Sequence, residues 1–165
     1  MSDRFHGMGD TEATLDGSDL RVAIVASRFN HLICRRLVDG ASRRLAELGC
    51  RQVDEVWVPG AFELPLAVKA LSAGGRYDGV VAIGVVIRGD TPHFEYVCRS
   101  VTDGLSEVGL SARLPIGFCV LTTDTVEQAL VRAVAFGEVG QNKGAESAEV
   151  VVEMAGLLRA LGKEV

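Results

Sequence analysis

Val80-Val81-Ala82-Ile83-Gly84-Val85-Val86-Ile87-Arg88-Gly89-Asp90-Thr91-Pro92-His93-Phe94-Glu95 is the stretch whose reading decides the fold. Its first half is apolar throughout, as a strand covered on both faces of a parallel sheet has to be. A strand over Tyr77 to Val86 therefore belongs at the centre of a sheet. Gly89, Asp90 and Thr91 sit where strand hands over to helix, and Phe94, Val97, Val101, Leu105 and Val108 repeat at helical spacing beyond them. At such a junction, backbone N–H groups and the positive end of the helix dipole point at a bound anion. His93 follows within one turn, and imidazole titrates nearer neutrality than any other side chain. Phosphate chemistry with proton transfer is the first reading, and an enzyme the leading class. The bland alternative is an ordinary turn, with Asp90 or Thr91 as N-cap, Pro92 at the first helical position and His93 a surface histidine.

The same alternation of β-branched runs and helical patterns extends on both sides, the signature of βαβ units around a parallel sheet. Arg21 to Ala26 reads as a first strand, and Ile33, Leu37, Ala41, Leu45 and Leu48 as the buried face of a helix stopped by Gly49. Val53 to Val58 is a second strand, followed by a short helix from Leu64 to Ser72 with Pro65 in its first turn and Gly74-Gly75 after it. Pro115 to Leu121 is the fourth strand. Asp124 with Glu127 suggests the cap of a helix through Ala135, Gly137 and Gly140 interrupt, and a last helix runs from about Ala145 to Leu161. Four strands and five helices make a three-layer α/β/α sandwich on a four-stranded parallel, flavodoxin-like sheet. Residues 1–19 are expected to be a flexible arm, and 20–165 one domain.

With 165 residues and nearly half of them hydrophobic, one compact core is expected. The net charge of −5 comes without a basic stripe, which argues against nucleic acid as a partner while leaving a small anionic substrate open. Residues 1–19 lack a signal-peptide-like apolar stretch, and the longest apolar run, Val80 to Ile87, is too short to span a bilayer. Cys34, Cys50, Cys98 and Cys119 form no Cys-x-x-Cys pair and no His stands at ligand spacing, so reduced, buried thiols, no metal and a cytoplasmic location are expected.

Ligands of such sheets bind beyond the carboxyl ends of the strands. The unusual residues fall there: Ser27-Arg28-Phe29-Asn30 after the first strand, Pro59-Gly60-Ala61-Phe62-Glu63 after the second, Gly89 to His93 after the third, Thr122-Thr123-Asp124 after the fourth. Phe29 in a loop suits stacking on a planar ligand, although it also suits a core. Backbone at Ala61 and Phe62 suits a polar ring edge, and the Glu63 carboxylate suits hydroxyls, although an ordinary turn explains them too. Arg132 and Lys143 by themselves read as solvated helix charges.

Taken together, five ordered blocks resemble the 6,7-dimethyl-8-ribityllumazine synthase family from about Arg21 to Leu158. They are Ser27 to Asn30, Pro59 to Pro65, Val85 to Phe94, Val120 to Thr125 with Glu127-Gln128-Ala129, and Asn142-Lys143-Gly144. The resemblance implies a transferase of riboflavin biosynthesis. It condenses 5-amino-6-(D-ribitylamino)uracil with 3,4-dihydroxy-2-butanone 4-phosphate and releases phosphate and water without a cofactor. It further implies that Phe29 stacks on the pyrimidine, that Ala61, Phe62 and Val85, Val86 and Ile87 line its edge, and that Glu63 holds the ribityl chain. Gly89, Asp90 and Thr91 would receive the phosphate, His93 would move protons, and Arg132, Phe118 and Lys143 would reach the site from a neighbouring subunit.

The family forms pentamers, some packed into sixty-subunit capsids. Ala133 to Gln141 here is longer than the compact kink of capsid formers, so a free pentamer, or pentamers paired as decamers, is expected. Two other classes compete. A flavin or lumazine carrier without catalysis leaves His93, Arg132 and Lys143 unused, and a phosphate-binding regulatory domain leaves Phe29 and Glu63 unexplained.

Overall fold

The computed structural model describes residues 14–162. Four strands, β1 (Arg21–Ser27), β2 (Gln52–Val58), β3 (Gly79–Ile87) and β4 (Ile116–Thr123), form one all-parallel sheet in the order β2-β1-β3-β4. The helices are α1 (His31–Glu47), α2 (Leu64–Ser72), α3 (His93–Ala112), α4 (Val126–Leu130) and α5 (Lys143–Gly162), with a 3-10 turn at Ala61–Glu63. From β1 the chain steps outward to β2, and then reverses across β1 to β3 and β4. Right-handed crossovers put connections of opposite direction on opposite faces. Accordingly α1 and α5 cover one face, and α2 and α3 the other.

β3 is central as its composition requires. Val81, Ile83 and Val85 face α1 and α5, whereas Val80 and Ala82 face α2 and α3. It begins at Gly79 rather than Tyr77, because Tyr77 leaves the ladder and its hydroxyl donates to Asp54 at 2.8 Å. Ile33, Leu37, Ala41 and Leu45 are buried on α1 as their spacing predicts, and Gly49 ends that helix at φ 85°. The three-layer sandwich stands as read from the sequence. The arm expected over residues 1–19 falls largely outside the described residues; within 14–19, the Gly17 N–H donates to the Leu48 carbonyl at 2.7 Å.

One expectation fails at α4. This helix ends at Leu130 instead of reaching Ala135, because Ala133 pairs in an antiparallel bridge with Asn142 and the residues between fold back as a loop. Its N-cap is Thr125, whose hydroxyl accepts from the Gln128 N–H, rather than Asp124 with Glu127. α5 also starts two residues early. Asn142 stands before it, accepting from the Ala145 N–H at 3.2 Å while its amide donates to the Arg36 and Val134 carbonyls, each at 3.0 Å. Gly144 then lies directly against the Leu37 carbonyl of α1, a contact no side chain would permit. Gly144→Ala should therefore cost about 3 kcal/mol or more, since the clash is with backbone that cannot move aside. An unchanged melting temperature in that variant would refute the close contact.

Candidate active site

β3 outruns β1. The β1–β3 register ends at Ala26↔Ile83, whereas β4 stays paired with β3 as far as Ile87↔Thr123. The stretch from Gly84 to Ile87 thus has a partner on one edge only. Alternation along a strand sends the backbone groups of Val85 and Ile87 to the unpaired side, since Arg88 donates to the Thr123 carbonyl on the other. On this ledge, at the switch point between β1 and β3, lies a pocket of about 630 Å³. Phe29, Gly60 to Glu63, Val85 to Ile87, Gly89, Thr91, His93, Phe94 and Val97 line it.

Local bonding explains how each wall is set. Arg28 and Phe29 carry the β1–β2 ladder past its last rung, donating to the Val58 and Pro59 carbonyls at 2.8 and 3.2 Å, and Ser27 Oγ accepts from the Phe29 N–H at 3.1 Å. With its backbone pinned in this way, the Phe29 ring stands 71% exposed at the rim. Asn30 turns into α1 through a left-handed conformation, and its amide donates to the Val85 carbonyl at 2.8 Å, closing one open position of the ledge. The opposite wall sits close because Gly84 has no side chain. A Cβ there would stand 3.1 Å from both Ala61 Cβ and Leu64 Cδ1, so the 3-10 turn lies directly on β3. That turn brings Ala61, Phe62 and Glu63 to the pocket. The Glu63 carboxylate folds back over Gly60.

At the mouth of β3, Pro92 occupies the N-cap position of α3 and no side chain caps the helix. Thr91 Oγ1 accepts from the His93 N–H over a long 3.4 Å, so neither Asp90 nor Thr91 is the cap of an ordinary turn. Among the described residues the N–H groups of Gly89, Asp90 and Thr91 have no acceptor. His93 is the first residue of α3, exposed and on the pocket lining. Arg88 binds Asp124 Oδ1 through Nε at 2.8 Å, pairs with Glu95, and lies over the Phe94 ring at 4.4 Å.

Four of the residues singled out from the sequence are not on this pocket's lining. Asp90 belongs to the same loop but is not among the lining residues. Phe118, half exposed on the edge strand β4, lines a groove against α3 with Thr102, Leu105 and Leu110. Arg132 and Lys143 come together elsewhere, for the Lys143 N–H donates to the Arg132 carbonyl at 2.9 Å at the base of the 133–142 loop. The Arg132 guanidinium donates back to the Gln128 carbonyl of α4, and Lys143 pairs with Glu146. Asn30, Gly84, Arg88 and Asn142 shape these regions, although no role was evident for them in the sequence. Their common signal is a polar or glycine residue inside a motif whose other members already had a task.

A pocket at the switch point of a parallel sheet, lined by a carboxylate and an imidazole, is the arrangement in which α/β enzymes take small polar ligands. The comparisons make that class specific. A family model for 6,7-dimethyl-8-ribityllumazine synthase matches residues 19–159. The 6,7-dimethyl-8-ribityllumazine synthase of Edwardsiella ictaluri (strain 93-146) is 49% identical over 144 residues, covering 86% of this chain and 90% of that protein. The chain belongs to the 6,7-dimethyl-8-ribityllumazine synthase family.

No helix among the described residues is long and apolar enough to cross a membrane, and none of their His, Cys, Asp and Glu side chains gather in threes around a metal position. All four cysteines are free. Burial pushes the Cys34 and Cys119 thiols from an ordinary 9.0 up to about 12. Keeping them neutral contributes stability that is fully present below 9.0 and is lost as pH rises through about 12. At about pH 8, half-buried Cys98 should react first with a thiol reagent, and Cys34 and Cys119 only on unfolding. Equal reactivity of all four in the folded protein would contradict their burial.

Proposed function

We propose that the pocket on the β3 ledge holds 5-amino-6-(D-ribitylamino)uracil and that the Gly89–Thr91 loop takes the phosphate of 3,4-dihydroxy-2-butanone 4-phosphate. The family's reaction, condensation of these two to 6,7-dimethyl-8-ribityllumazine with release of phosphate and water, is a transferase step of riboflavin biosynthesis. The observation that carries the reading is the unpaired backbone edge of β3 beneath an exposed ring. A pyrimidinedione edge offers alternating donors and acceptors, and the Ile87 backbone can meet it as a neighbouring strand would. Phe29 stacks on the ring face, Ala61 and Phe62 close its far edge, and Glu63 accepts from the ribityl hydroxyls.

For the phosphate, the loop offers N–H groups of Gly89, Asp90 and Thr91 at the start of a 20-residue helix. A Cβ on Gly89 would meet nothing within 4 Å, so the chain's own packing does not demand a glycine there, whereas close approach of an anion does. His93 lies one turn away for the proton transfers of imine formation, phosphate elimination and ring closure. Bringing two substrates together contributes on the order of 7–11 kcal/mol, and one acid–base group about 10²–10⁴-fold, so positioning dominates the rate.

Charge supports a site shared between subunits. The pocket lining carries the Glu63 carboxylate and no lysine or arginine, and Arg88 beside it is held by Glu95 and Asp124, so a phosphate there calls for a further cation. Arg132 is exposed and makes no ion pair among the described residues. In our reading Arg132, with Phe118 and Lys143, serves the pocket of a neighbour in a homopentamer. The 133–142 loop, held by the Ala133–Asn142 bridge and by Arg43 over the Phe136 ring at 3.9 Å, is a built structure rather than a kink. It favours free pentamers or paired pentamers over a sixty-subunit shell. Four free thiols fit a reducing cytoplasm.

Mixing the two substrates with the protein should yield the lumazine chromophore and one phosphate per turnover; neither appearing would refute the reading, and a carrier that lost catalysis would bind lumazine without making it. His93→Ala should slow turnover about 10²-fold or more without abolishing it. Arg132→Ala should raise the KM for the ketone phosphate, and unchanged saturation would remove its assignment. Light scattering should give a pentamer or decamer, and a megadalton shell alone would overturn that choice.

A further inference from the structure

The loop proposed to hold phosphate is poorly fixed by its own chain. Among the described residues, its only internal tether between Ile87 and His93 is the 3.4 Å bond from the His93 N–H to Thr91 Oγ1, and a Cβ on Gly89 would meet nothing within 4 Å. What spans it is the side chain of Arg88. From the loop's first end the guanidinium reaches its far end, pairing with Glu95 and lying on Phe94, and also crosses to Asp124, just after β4. Asp124 is itself held, because its N–H donates to Gln128 Oε1 at 2.8 Å. Gln128 belongs to the short α4, whose last turn leads to Arg132.

We propose that Arg88 is a positioning residue for the phosphate end of the site, clamping Glu95 and Asp124 so that the Gly89–Thr91 N–H groups and His93 keep one arrangement. The inference rests on the phosphate reading above. Arg88 is not a phosphate ligand in this arrangement, since two carboxylates already occupy its fork. The planar guanidinium meets both at once, which the single ammonium of lysine does not match. Exposed ion pairs contribute little to stability, so the clamp acts on geometry more than on folding.

Steady-state kinetics of Arg88→Gln, Arg88→Lys and Asp124→Asn, with competitive inhibition by inorganic phosphate, test this. Arg88→Gln should raise both the KM for the ketone phosphate and the phosphate inhibition constant about tenfold, the scale of coupling within one ion-pair network. The KM for the pyrimidine should stay within about twofold, and the melting temperature within a few degrees. Arg88→Lys should recover only part of the loss. Asp124→Asn should shift the same constants in the same direction, and combined with Arg88→Gln it should add little, because one clamp is broken in both. Equal losses for both substrates, an unchanged phosphate constant, or full recovery by lysine would each overturn the proposal. Should the wild-type protein bind phosphate by calorimetry but make no lumazine, the reaction assignment fails instead, and phosphate affinity in the same variants still decides the role of Arg88.

Discussion

The arrangement of this protein depends on one mismatch in length: β3 continues past the end of β1 while still paired with β4. Backbone groups in a folded protein need partners, and a strand that outruns its neighbour leaves a row of them open. One is met by the Asn30 amide, which reaches the Val85 carbonyl from the neighbouring loop. Beyond it, Val86 and Ile87 continue along the pocket lining. The walls follow from how the adjacent chain ends are pinned: Phe29 is held out by the continued β1–β2 ladder, and the 3-10 turn is drawn onto β3 by the bare Gly84. A binding site and a satisfied strand are thus alternatives for the same atoms.

Electrostatics gives that pocket its direction. Its rim carries more carboxylate than cation, and the one arginine at the mouth of β3 is bound to two acids. The chain's exposed Arg132 and its neighbour Lys143 lie at the base of a different loop. In our pentameric reading, those cations serve the pocket of a neighbouring copy.

Much of this was legible in the residues. The short, β-branched apolar run of Val80 to Ile87 reads as a strand with both faces covered, and helices at 3.6-residue spacing around it leave few topologies. The strand mouths could likewise be located, and with them Phe29, Glu63 and His93, because loops at the carboxyl ends are where such sheets bind ligands. The α4 region was not legible. Asp124 with Glu127 and Thr125 with Gln128 both fit a capping pattern, and local sequence does not choose between them. Asp124 is claimed by Arg88 across the strand mouths, which leaves Thr125 as the cap. Leu130 to Ala135 likewise carries helix formers in Leu130, Arg132, Ala133 and Ala135, and yields because Ala133 bridges to Asn142, itself fixed between α1 and α5.

By itself, then, the sequence determined the layers, the central strand and the family, since these follow from periodicity, hydrophobicity and ordered motifs that act locally. Only the tertiary structure decided which backbone groups of β3 stay open, where the helix after β4 stops, and how Arg88 and Asn142 are used. Those outcomes turn on partners 36 and 106 residues apart, for Arg88–Asp124 and Arg36–Asn142 respectively. Hydrogen bonds over such separations form between groups that propensity and spacing leave undetermined, and the competition is resolved only when the elements are packed.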